Sequence, residues 1–391
     1  MKLAFVVQRY GADIAGGSEA HCRQLALRLS PRHDITILTT CARDYVTWAN
    51  AYPAGGTQDG PLRVLRFPVR TPRNLGAFAD LSDEVFDGRA PRARQEAWFL
   101  ENGPDVPALL EHLRAHGSEY DLVLFWTFRY APSFFGVPLV ADRAVLLPTA
   151  EDDRAVYLDV LERYFQTPAG YLFLTPEEET LVTTRAGRPL RPSAIIGIGL
   201  EPAADVPAAD VLRAHGVPER YLLYLGRVDR NKGCHTLLEY FSEYADSPGA
   251  VSLVLAGPSK LQIPAHPNIR ALGYVPDALR DALLAHAMAL VVPSPYESLS
   301  IVLLEGWNRS VPALVNARCK VLDGQVRRAN GGLTYRSAAE FREALEYLVT
   351  QREARAALGR QGLAFVEREY RWPIVLERVE RLLAEVAARA T

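Results

Sequence analysis

The sequence predicts an α/β protein with two doubly wound domains. The chain has 391 residues, more than one hydrophobic core usually serves, and 49% of them are apolar. Short apolar or β-branched runs alternate with amphipathic segments, which is the pattern of a parallel sheet wrapped by helices. The alternation stops at a stretch rich in Pro and Ala and then begins again. Each half of the chain is therefore expected to form its own sheet and core.

The predicted strands share this apolar character and are separated by helical spacing. In the first half they are KLAFVV, HDITILTT, YDLVLFWT, RAVLLPT, GYLFLT and SAIIGIG, with SEAHCRQLALRLS as a helix. In the second half they are YLLYLGR, VSLVLAG, NIRALGYV, ALVVPS and VPALVN, with HTLLEYFSEYA as a helix. The link between the two domains is placed at Gly199 to Val217.

We predict a first domain at 1–199 and a second domain at 200–372. The C-terminal segment 373–391 is an amphipathic helix, since its apolar positions recur at helical spacing. These positions are Ile374, Val375, Leu376, Val379, Leu382 and Leu383. We expect this helix to cross back and pack on the first domain.

Segment 52–104 does not follow the alternating pattern. It is long, contains Gly and Pro, and carries the basic run RAPRAR at 89–94. We predict an irregular loop on the protein surface. The alternative is a contact for an acidic or membrane-bound acceptor.

Charge and cysteine usage restrict the classes of function. A net charge of −2 gives no general attraction to nucleic acid or to an anionic membrane, so no nucleic-acid partner is expected. The four cysteines form no CxxC pair and are expected to be free thiols in a reducing compartment. The N-terminal apolar run is too short for a signal peptide or a membrane span. A cytoplasmic protein is the default expectation.

Two glycine-containing loops follow predicted strands, where open α/β sheets bind ligands. In the first, Gly16 and Gly17 precede Ser18, which we predict as the helix N-cap. These glycines either let a ligand approach the backbone or provide a turn with positive φ. In the second, GRVDRNKG, Gly226 and Arg227 come before Lys232.

Lys232 is one of four lysines among 44 basic residues, so its position between a strand and a helix is informative. An arginine fork and a lysine ammonium on one short loop suit two adjacent phosphates, whereas the alternative is two solvated cations. The loop is not a Walker motif, because Asn231 precedes the lysine and no Ser or Thr follows it.

Two further loops carry carboxylates after predicted strands. In PSPYESLSIVLLEGW, Glu297 lies before a predicted helix that Ser298 or Ser300 can cap, and Glu305 lies on its early turns. Carboxylates accept hydrogen bonds from vicinal hydroxyls, so these two suit a sugar and a ribose. Alternatively, Glu297 is a first-turn glutamate that the helix dipole stabilises, and Glu305 is a surface charge. In LPTAEDD, Glu151, Asp152 and Asp153 form either a helix-start cluster or part of a sugar or acceptor site.

Taken together, these residues resemble the retaining, nucleotide-sugar-dependent glycosyltransferases of family 4, within glycosyl transferases group 1. The resemblance is strongest at 221–335, where YLLYLGRVDRNKGCHTLLEYF is similar to the family's phosphate motif. The stretches IRALGYVPDAL, VVPSPYESLSIVLLEGW and NGGLTYRSAAEFREAL match the regions that follow it. In the first half the resemblance is carried by GGSEAHCRQLALRL and LPTAEDD. It implies the GT-B fold, with two facing Rossmann-like domains.

The resemblance also implies roles for individual residues. Arg227 and Lys232 would hold the donor diphosphate, Glu297 would contact the transferred sugar, and these three form the catalytic set. Glu305 would bind the ribose hydroxyls. The full donor-binding set is Gly16, Gly17, Gly226, Arg227, Lys232, Tyr274, Val275, Glu297, Ser298, Leu299, Ser300, Ile301 and Glu305. Within it, Tyr274 and Val275 would meet the base, and backbone N–H groups at 299–301 would lie at a helix N-terminus.

The implied activity is transfer of a sugar from a UDP-sugar or GDP-sugar to an acceptor hydroxyl with retained anomeric configuration. No cofactor and no metal ion are expected. The implied acceptor is a glycan, a lipid-linked molecule or a small molecule, in bacterial polysaccharide, glycolipid or natural-product biosynthesis. Peripheral contact with the inner face of the membrane is compatible with this activity.

Two departures from the family pattern concern the sugar side. The chain has ESLS at 297–300 where the family often has EGFG, which is compatible with binding by backbone N–H groups. Glu151 stands where a histidine is common in the family, next to Asp152 and Asp153 on the expected sugar or acceptor side. A sugar-nucleotide epimerase or phosphorylase of the same fold is an alternative, and Glu151 also leaves open a catalytically inactive binding subunit.

Overall fold

The computed structural model describes residues 1–14, 16–205, 209–247 and 249–390. The chain divides into two compact units, Met1–Gly199 with Val375–Thr391, and Leu200–Ile374. Residues 206–208 of the predicted link and Thr391 of the predicted C-terminal helix lie outside the described residues.

In the first unit, eight strands of the described residues form one sheet. The strands are β1 (Lys2–Val6), β2 (Asp34–Thr40), β3 (Gly55–Asp59), β4 (Leu62–Phe67), β5 (Leu122–Trp126), β6 (Ala144–Leu147), β7 (Gly170–Phe173) and β8 (Ser193–Ile195). Their order is β3-β4-β2-β1-β5-β6-β7-β8, and all neighbours are parallel except β3 and β4. Every residue of the central strand β5 is buried, as expected for a parallel strand covered on both faces.

The helices of this unit connect the strands and cover the sheet. They are α1 (Gly17–Leu29), α2 (Leu75–Phe86), α3 (Arg92–Asn102), α4 (Pro107–His116), α5 (Ala131–Gly136), α6 (Val160–Tyr164) and α7 (Pro176–Ala186). Short 3₁₀ helices lie at Gly117–Glu119, Val137–Arg143 and Arg154–Tyr157. Aromatic side chains fill much of the core, where Phe99 and Phe134 stack with ring centroids 3.9 Å apart.

The prediction of an irregular loop at 52–104 is wrong. The segment contains β3, β4, α2 and α3, and β4 pairs in parallel with β2 and extends the sheet. Asp59 at the end of β3 accepts hydrogen bonds of 2.7 Å from Tyr10 and from Arg23. The sequence of β3, GGTQD, has low strand propensity, and its strand conformation follows from backbone pairing with β4 at the sheet edge.

The second unit contains a six-stranded parallel sheet in the part of the chain that the structure describes. Its strands are β9 (Tyr221–Leu225), β10 (Ser252–Ala256), β11 (Ile269–Gly273), β12 (Ala289–Val292), β13 (Ala313–Asn316) and β14 (Gly332–Tyr335), in the order β11-β10-β9-β12-β13-β14. Its helices are α8 (Asp210–Ala214), α9 (Cys234–Ala245), α10 (Asp277–His286), α11 (Ile301–Asn308), α12 (Lys320–Ala329), α13 (Ala338–Thr350) and α14 (Arg352–Glu369). Strand β14 was not among the predicted strands.

The last helix, α15 (Trp372–Ala390), begins in the second unit and ends in the first. Val375, Val379, Leu382 and Leu383 are buried, which agrees with the apolar pattern of the sequence. A side chain at Gly170 of β7 would place its Cβ 2.5 Å from Val386, so this part of the helix lies directly against the sheet strand.

Candidate functional site

The loop between β9 and α9 is organised by Asp229. Its buried carboxylate accepts a 2.9 Å hydrogen bond from the Lys232 backbone N–H, and its carbonyl accepts one of 3.2 Å from the Cys234 N–H. Arg227 Nη1 lies 3.6 Å from Asp229 Oδ2. Asp229 was not predicted as a site residue from the sequence, although an acidic residue between the two cations was a visible signal. Asp229 fixes the positions from which both cationic side chains extend.

Gly233 ends this loop and has a conformation that favours glycine. Its φ is +72°, and a Cβ at this position would lie 2.3 Å from the carbonyl oxygen of Pro293. Pro293 follows β12, the strand next to β9 in the sheet. The Lys-Gly pair therefore lets the β9–α9 loop pack closely against the loop that carries Glu297.

The packing of these loops brings Lys232 and Glu297 together. The Lys232 ammonium donates a 2.8 Å hydrogen bond to the Glu297 carboxylate, and the exposed fractions of these side chains are 30% and 11%. The two residues are 65 positions apart in the sequence and follow strands that are neighbours in the sheet. A partly buried ion pair at the carboxyl edge of a parallel sheet is a suitable place for a charged ligand.

Helix α11 begins beside this ion pair. Ser300 is its N-cap residue, but the Ser300 side chain makes no capping hydrogen bond. Leu299 and Ser300 are buried and Ile301 begins the helix, so the run from Ser298 to Ile301 forms its N-terminal approach. The start of α11, where the Ser300 side chain makes no capping hydrogen bond, can present backbone N–H groups to an acceptor, as predicted from the sequence for this stretch.

Glu305 lies in the middle of α11 and belongs to a cluster of charges. Its carboxylate accepts a hydrogen bond from Arg280 of α10. Arg280 also lies 3.5 Å from Asp281, which in turn lies 3.4 Å from Arg309. Burial raises the pKa of Glu305, and the Arg280 guanidinium opposes this shift. Arg280 holds Glu305 in place and was not selected from the sequence.

The strand ends beside β9 carry glycines. Gly226 follows β9 and Gly257 follows β10, and a Cβ on Gly257 would lie 1.9 Å from the Gly226 carbonyl oxygen. The lack of side chains allows these two backbone segments to meet. Tyr274 and Val275 follow β11 at the same edge of the sheet, and Tyr274 has an exposed fraction of 83%. An exposed aromatic ring at this edge is available for stacking on a flat ligand.

In the first unit, the prediction that Ser18 is the N-cap of α1 is wrong. Gly16 is the N-cap, with an extended φ of −175°, and Gly17 and Ser18 lie within the helix. A Cβ on Gly16 would lie 2.2 Å from the carboxylate of Glu19, so the missing side chain makes room for Glu19. Arg9 donates hydrogen bonds of 2.9 Å and 2.6 Å to that carboxylate.

This buried Arg9–Glu19 pair was missed, although a glutamate three positions after an N-cap is a recognisable signal. Because of this pair, the Glu19 carboxylate lies next to Gly16. The role of Gly16 and Gly17 toward a diphosphate remains a prediction.

The acidic run after β6 is held by partners within the first unit. Arg129 donates a 2.7 Å hydrogen bond to Asp153 and lies 3.9 Å from Glu151. Asp152 accepts a hydrogen bond from Tyr157. Asp153 is the N-cap residue of the 3₁₀ helix Arg154–Tyr157, and its carboxylate accepts a 3.1 Å hydrogen bond from the Ala155 N–H, so the predicted alternative of a helix-start cluster fits this loop.

Glu178 of α7, which is fully buried, contacts the backbone at the start of the acidic run. Its two oxygens accept hydrogen bonds from the backbone N–H groups of Ala150 at 2.7 Å and Leu174 at 2.6 Å. Burial raises the pKa of Glu178 to about 8, against the lowering effect of these N–H groups. Glu178 therefore fixes the strand ends from which the acidic run begins.

The structure thus brings together Lys232, Glu297, the start of α11 and the loop of Arg227 within the second unit. Among the described residues, no group of three or more His, Cys, Asp or Glu side chains is placed to hold a metal ion. In the described part of the chain, none of the helices has the length and apolar character needed to cross a membrane. The four cysteines are buried and free.

Comparison with known proteins identifies the fold. Residues 219–351 match the family model described as glycosyl transferases group 1. No curated protein matches the chain by sequence. Sucrose-phosphate synthase from Thermosynechococcus elongatus is similar over 99% of both chains, with 18% identity and a TM-score of 0.74.

Two further solved structures have the same fold. The α,α-trehalose 6-phosphate synthase of Burkholderia multivorans matches over 100% of both chains, with 15% identity and a TM-score of 0.73. HepE of Anabaena, in complex with UDP and glucose, matches over 98% of this chain and 100% of its own, with 14% identity and a TM-score of 0.69. The prediction of an α/β protein with the GT-B fold is confirmed.

Proposed function

We propose that this protein transfers a sugar from a nucleoside-diphosphate sugar to an acceptor hydroxyl. The observation that carries this proposal is the Lys232–Glu297 ion pair at the carboxyl ends of β9 and β12. It places a cation for phosphate oxygens next to a carboxylate for sugar hydroxyls. The family match at 219–351 covers both residues and supports the same function.

The donor would lie along the sheet edge in a defined direction. Lys232 and Arg227 bind the diphosphate, and the N–H groups at 299–301 add donors at the start of α11. Glu305 takes the ribose hydroxyls, and Tyr274 and Val275 contact the base. A UDP-sugar or a GDP-sugar is the proposed donor, and HepE, which has this fold, is known in complex with UDP and glucose.

Lys232 has two states in this proposal. Without donor its ammonium is paired with Glu297. When the diphosphate binds, the ammonium turns to the phosphate oxygens, and Glu297 becomes available to accept hydrogen bonds from the sugar. One ion pair is thereby exchanged for contacts at both ends of the bond that breaks.

Chemistry then requires stabilisation of the departing nucleoside diphosphate. Negative charge grows on its oxygens as the sugar–phosphate bond breaks, and the Lys232 and Arg227 cations that contact these oxygens stabilise that charge. We propose attack by the acceptor hydroxyl on the same face, with retained anomeric configuration and with a phosphate oxygen taking the hydroxyl proton. The proposed reaction uses no metal ion. The proposed acceptors are a glycan, a lipid-linked molecule or a small molecule.

A donor panel tests this proposal. The purified chain is incubated with UDP-, GDP-, ADP- and dTDP-sugars, and binding, donor hydrolysis and sugar transfer are measured. We expect one nucleotide class to bind and to be slowly hydrolysed without acceptor. Lys232→Ala should lose that binding, whereas Lys260→Ala removes an exposed lysine of the same unit and should retain it. Equal binding by wild type and Lys232→Ala would refute the diphosphate assignment.

A second candidate is a binding subunit of the same fold without catalysis. The observation that favours it is Glu151, which lies 3.9 Å from Arg129. The glycosyltransferases that the sequence resembles often have a histidine at this position. Donor binding without hydrolysis or transfer, over a broad panel of acceptors, would support this candidate. Conversion of the donor to an isomer would instead support an epimerase.

A further inference from the structure

A cavity lies in the second unit, beside the loop of Lys232. Its volume is about 230 Å³. Arg318, which follows β13, and Arg336, which follows β14, both line it. His235 and Thr236 of the first turn of α9 and the amide side chain of Asn316 complete its polar wall. We call this feature the arginine cavity.

The arginine cavity has an excess of positive charge. Among the described residues that line it there is no Asp or Glu. Within the described ranges, neither the Arg318 nor the Arg336 guanidinium forms an ion pair, in contrast to Lys232 with Glu297. The carboxylate of the neighbouring Glu340 accepts a 2.6 Å hydrogen bond from the backbone N–H of Arg336. Glu340 thus fixes the backbone from which the Arg336 side chain extends.

The lining chemistry defines the class of ligand. Two guanidinium groups with the Thr236 hydroxyl nearby suit an oxyanion that accepts several hydrogen bonds at once. The cavity is smaller than the roughly 300 to 1,000 Å³ of typical small-molecule sites, so a nucleotide is too large for it. The tyrosines Tyr240 and Tyr335 in the wall supply an apolar surface for a compact organic group.

We propose that the arginine cavity binds the phosphate group of a small phosphate monoester, such as a sugar phosphate. The ligand is distinct from the proposed donor, because Lys232, Arg227 and Glu297 are not among the lining residues of the cavity. The two sites share the β9–α9 loop, since Gly233 lines the cavity and directly follows Lys232. Pro293 and Pro295, which precede Glu297, form another part of the wall.

The test uses glucose 6-phosphate as probe, with glucose and inorganic phosphate as comparison ligands, in calorimetric titrations of the full chain at low salt. We expect glucose 6-phosphate and inorganic phosphate to bind and glucose not to bind. Arg318→Gln and Arg336→Gln should each weaken glucose 6-phosphate binding by about tenfold or more, as for loss of a charge-assisted hydrogen bond. Arg327→Gln is the control, because this exposed arginine of α12 pairs with Asp323 and carries the same charge.

Lys232→Ala separates this site from the proposed donor site. Glucose 6-phosphate should bind Lys232→Ala as it binds wild type. The proposal is overturned if wild type does not bind the probe, if glucose binds equally well, or if the Arg318→Gln/Arg336→Gln double variant retains wild-type affinity. Loss of probe binding in Lys232→Ala would also overturn it, by placing the phosphate in the donor loop. The proposed transferase activity is decided separately, by nucleotide-sugar binding.

Discussion

The Lys232 ammonium and the Glu297 carboxylate are 2.8 Å apart and form one ion pair between two loops of the second unit. Glu297 is thereby paired with Lys232, the cation to which the proposed diphosphate would bind. The pair holds both side chains in place, and in the proposed function its exchange for ligand contacts is a step of donor binding.

Glu297→Gln is expected to separate nucleotide binding from transfer. Removal of the carboxylate charge frees Lys232, so the free nucleoside diphosphate should bind several-fold more tightly. Transfer or donor hydrolysis should fall, because the amide is a weaker acceptor for sugar hydroxyls. Calorimetry with the preferred nucleoside diphosphate and a turnover assay measure the two effects. Glu346→Gln, a surface glutamate paired with Arg342, is the matched control. Weaker diphosphate binding by Glu297→Gln would contradict the exchange of partners.

Gly233→Ala is expected to destabilise the second unit. Gly249→Ala is a close control, because Gly249 has a φ of +78° and a Cβ there would meet no atom within 4 Å. The control should lose about 1 kcal/mol of unfolding free energy through the left-handed conformation alone. Gly233→Ala should lose about 2 kcal/mol more, because its Cβ meets the Pro293 carbonyl. Denaturant unfolding of both variants measures the difference, and equal losses would show that the close approach to Pro293 is unimportant.

Glu305→Gln tests the proposed ribose contact. Loss of a charged acceptor should weaken UDP binding by about tenfold, and it should reduce the preference for UDP over 2′-deoxy-UDP. Asp281→Asn is the control, since Asp281 lies near the same Arg280 but has no proposed ribose contact. Isothermal titration with both nucleotides measures the preference. An unchanged preference in Glu305→Gln would exclude Glu305 from binding the 2′-hydroxyl. Where GDP is the preferred nucleotide, GDP and 2′-deoxy-GDP replace the uridine pair.

Glu178 is expected to make the first unit less stable as the pH rises. Its pKa is about 8 in the fold and about 4.5 when unfolded, so the folded chain keeps a proton that the unfolded chain releases between these values. The stabilising contribution is complete below about pH 4.5 and is lost as the pH rises to about 8. Hydrogen exchange of the β6 and β7 amides from pH 5 to pH 8, corrected for intrinsic rates, should show this loss.

In Glu178→Gln the loss of stability between about pH 6.5 and pH 8 should disappear, because the amide does not titrate. His21 provides a comparison of opposite sign. Burial lowers its pKa to about 4, so its contribution to stability is present above about pH 6.5 and is lost as the pH falls toward 4. A first unit whose exchange does not change between about pH 6.5 and pH 8 in wild type would show that Glu178 is ionised throughout.

The edges of both sheets were hard to predict from sequence. Central strands such as β5 and β9 read as continuous apolar runs, because both faces of a parallel strand are buried. Strand β3 is exposed and Gly-rich, and it is held by backbone pairing with β4 rather than by apolar side chains. Backbone pairing leaves little trace in composition, so segment 52–104 was misjudged.

The site residues were partly visible from the sequence. Lys232 and Glu297 stood out because they follow apolar runs at strand ends, and Glu305 stood out because it lies eight residues after Glu297 on the helix that follows. Their partners Asp229 and Arg280 did not stand out, since a single charged residue on a loop or helix is common. Arg9 and Glu19 were missed for the same reason, although they form a buried ion pair at the start of α1.

The sequence by itself determined the number of sheets, their mainly parallel character and the loops that carry charged residues. Periodicity and strand-end position are local properties, and they are written directly in the order of residues. Tertiary structure decided which charges meet. Lys232 reaches Glu297 because β9 and β12 are neighbours in the sheet although they are distant in the chain, and because Gly233 lets their loops touch. Pairing over such separations depends on strand order and backbone packing, which a single sequence does not state.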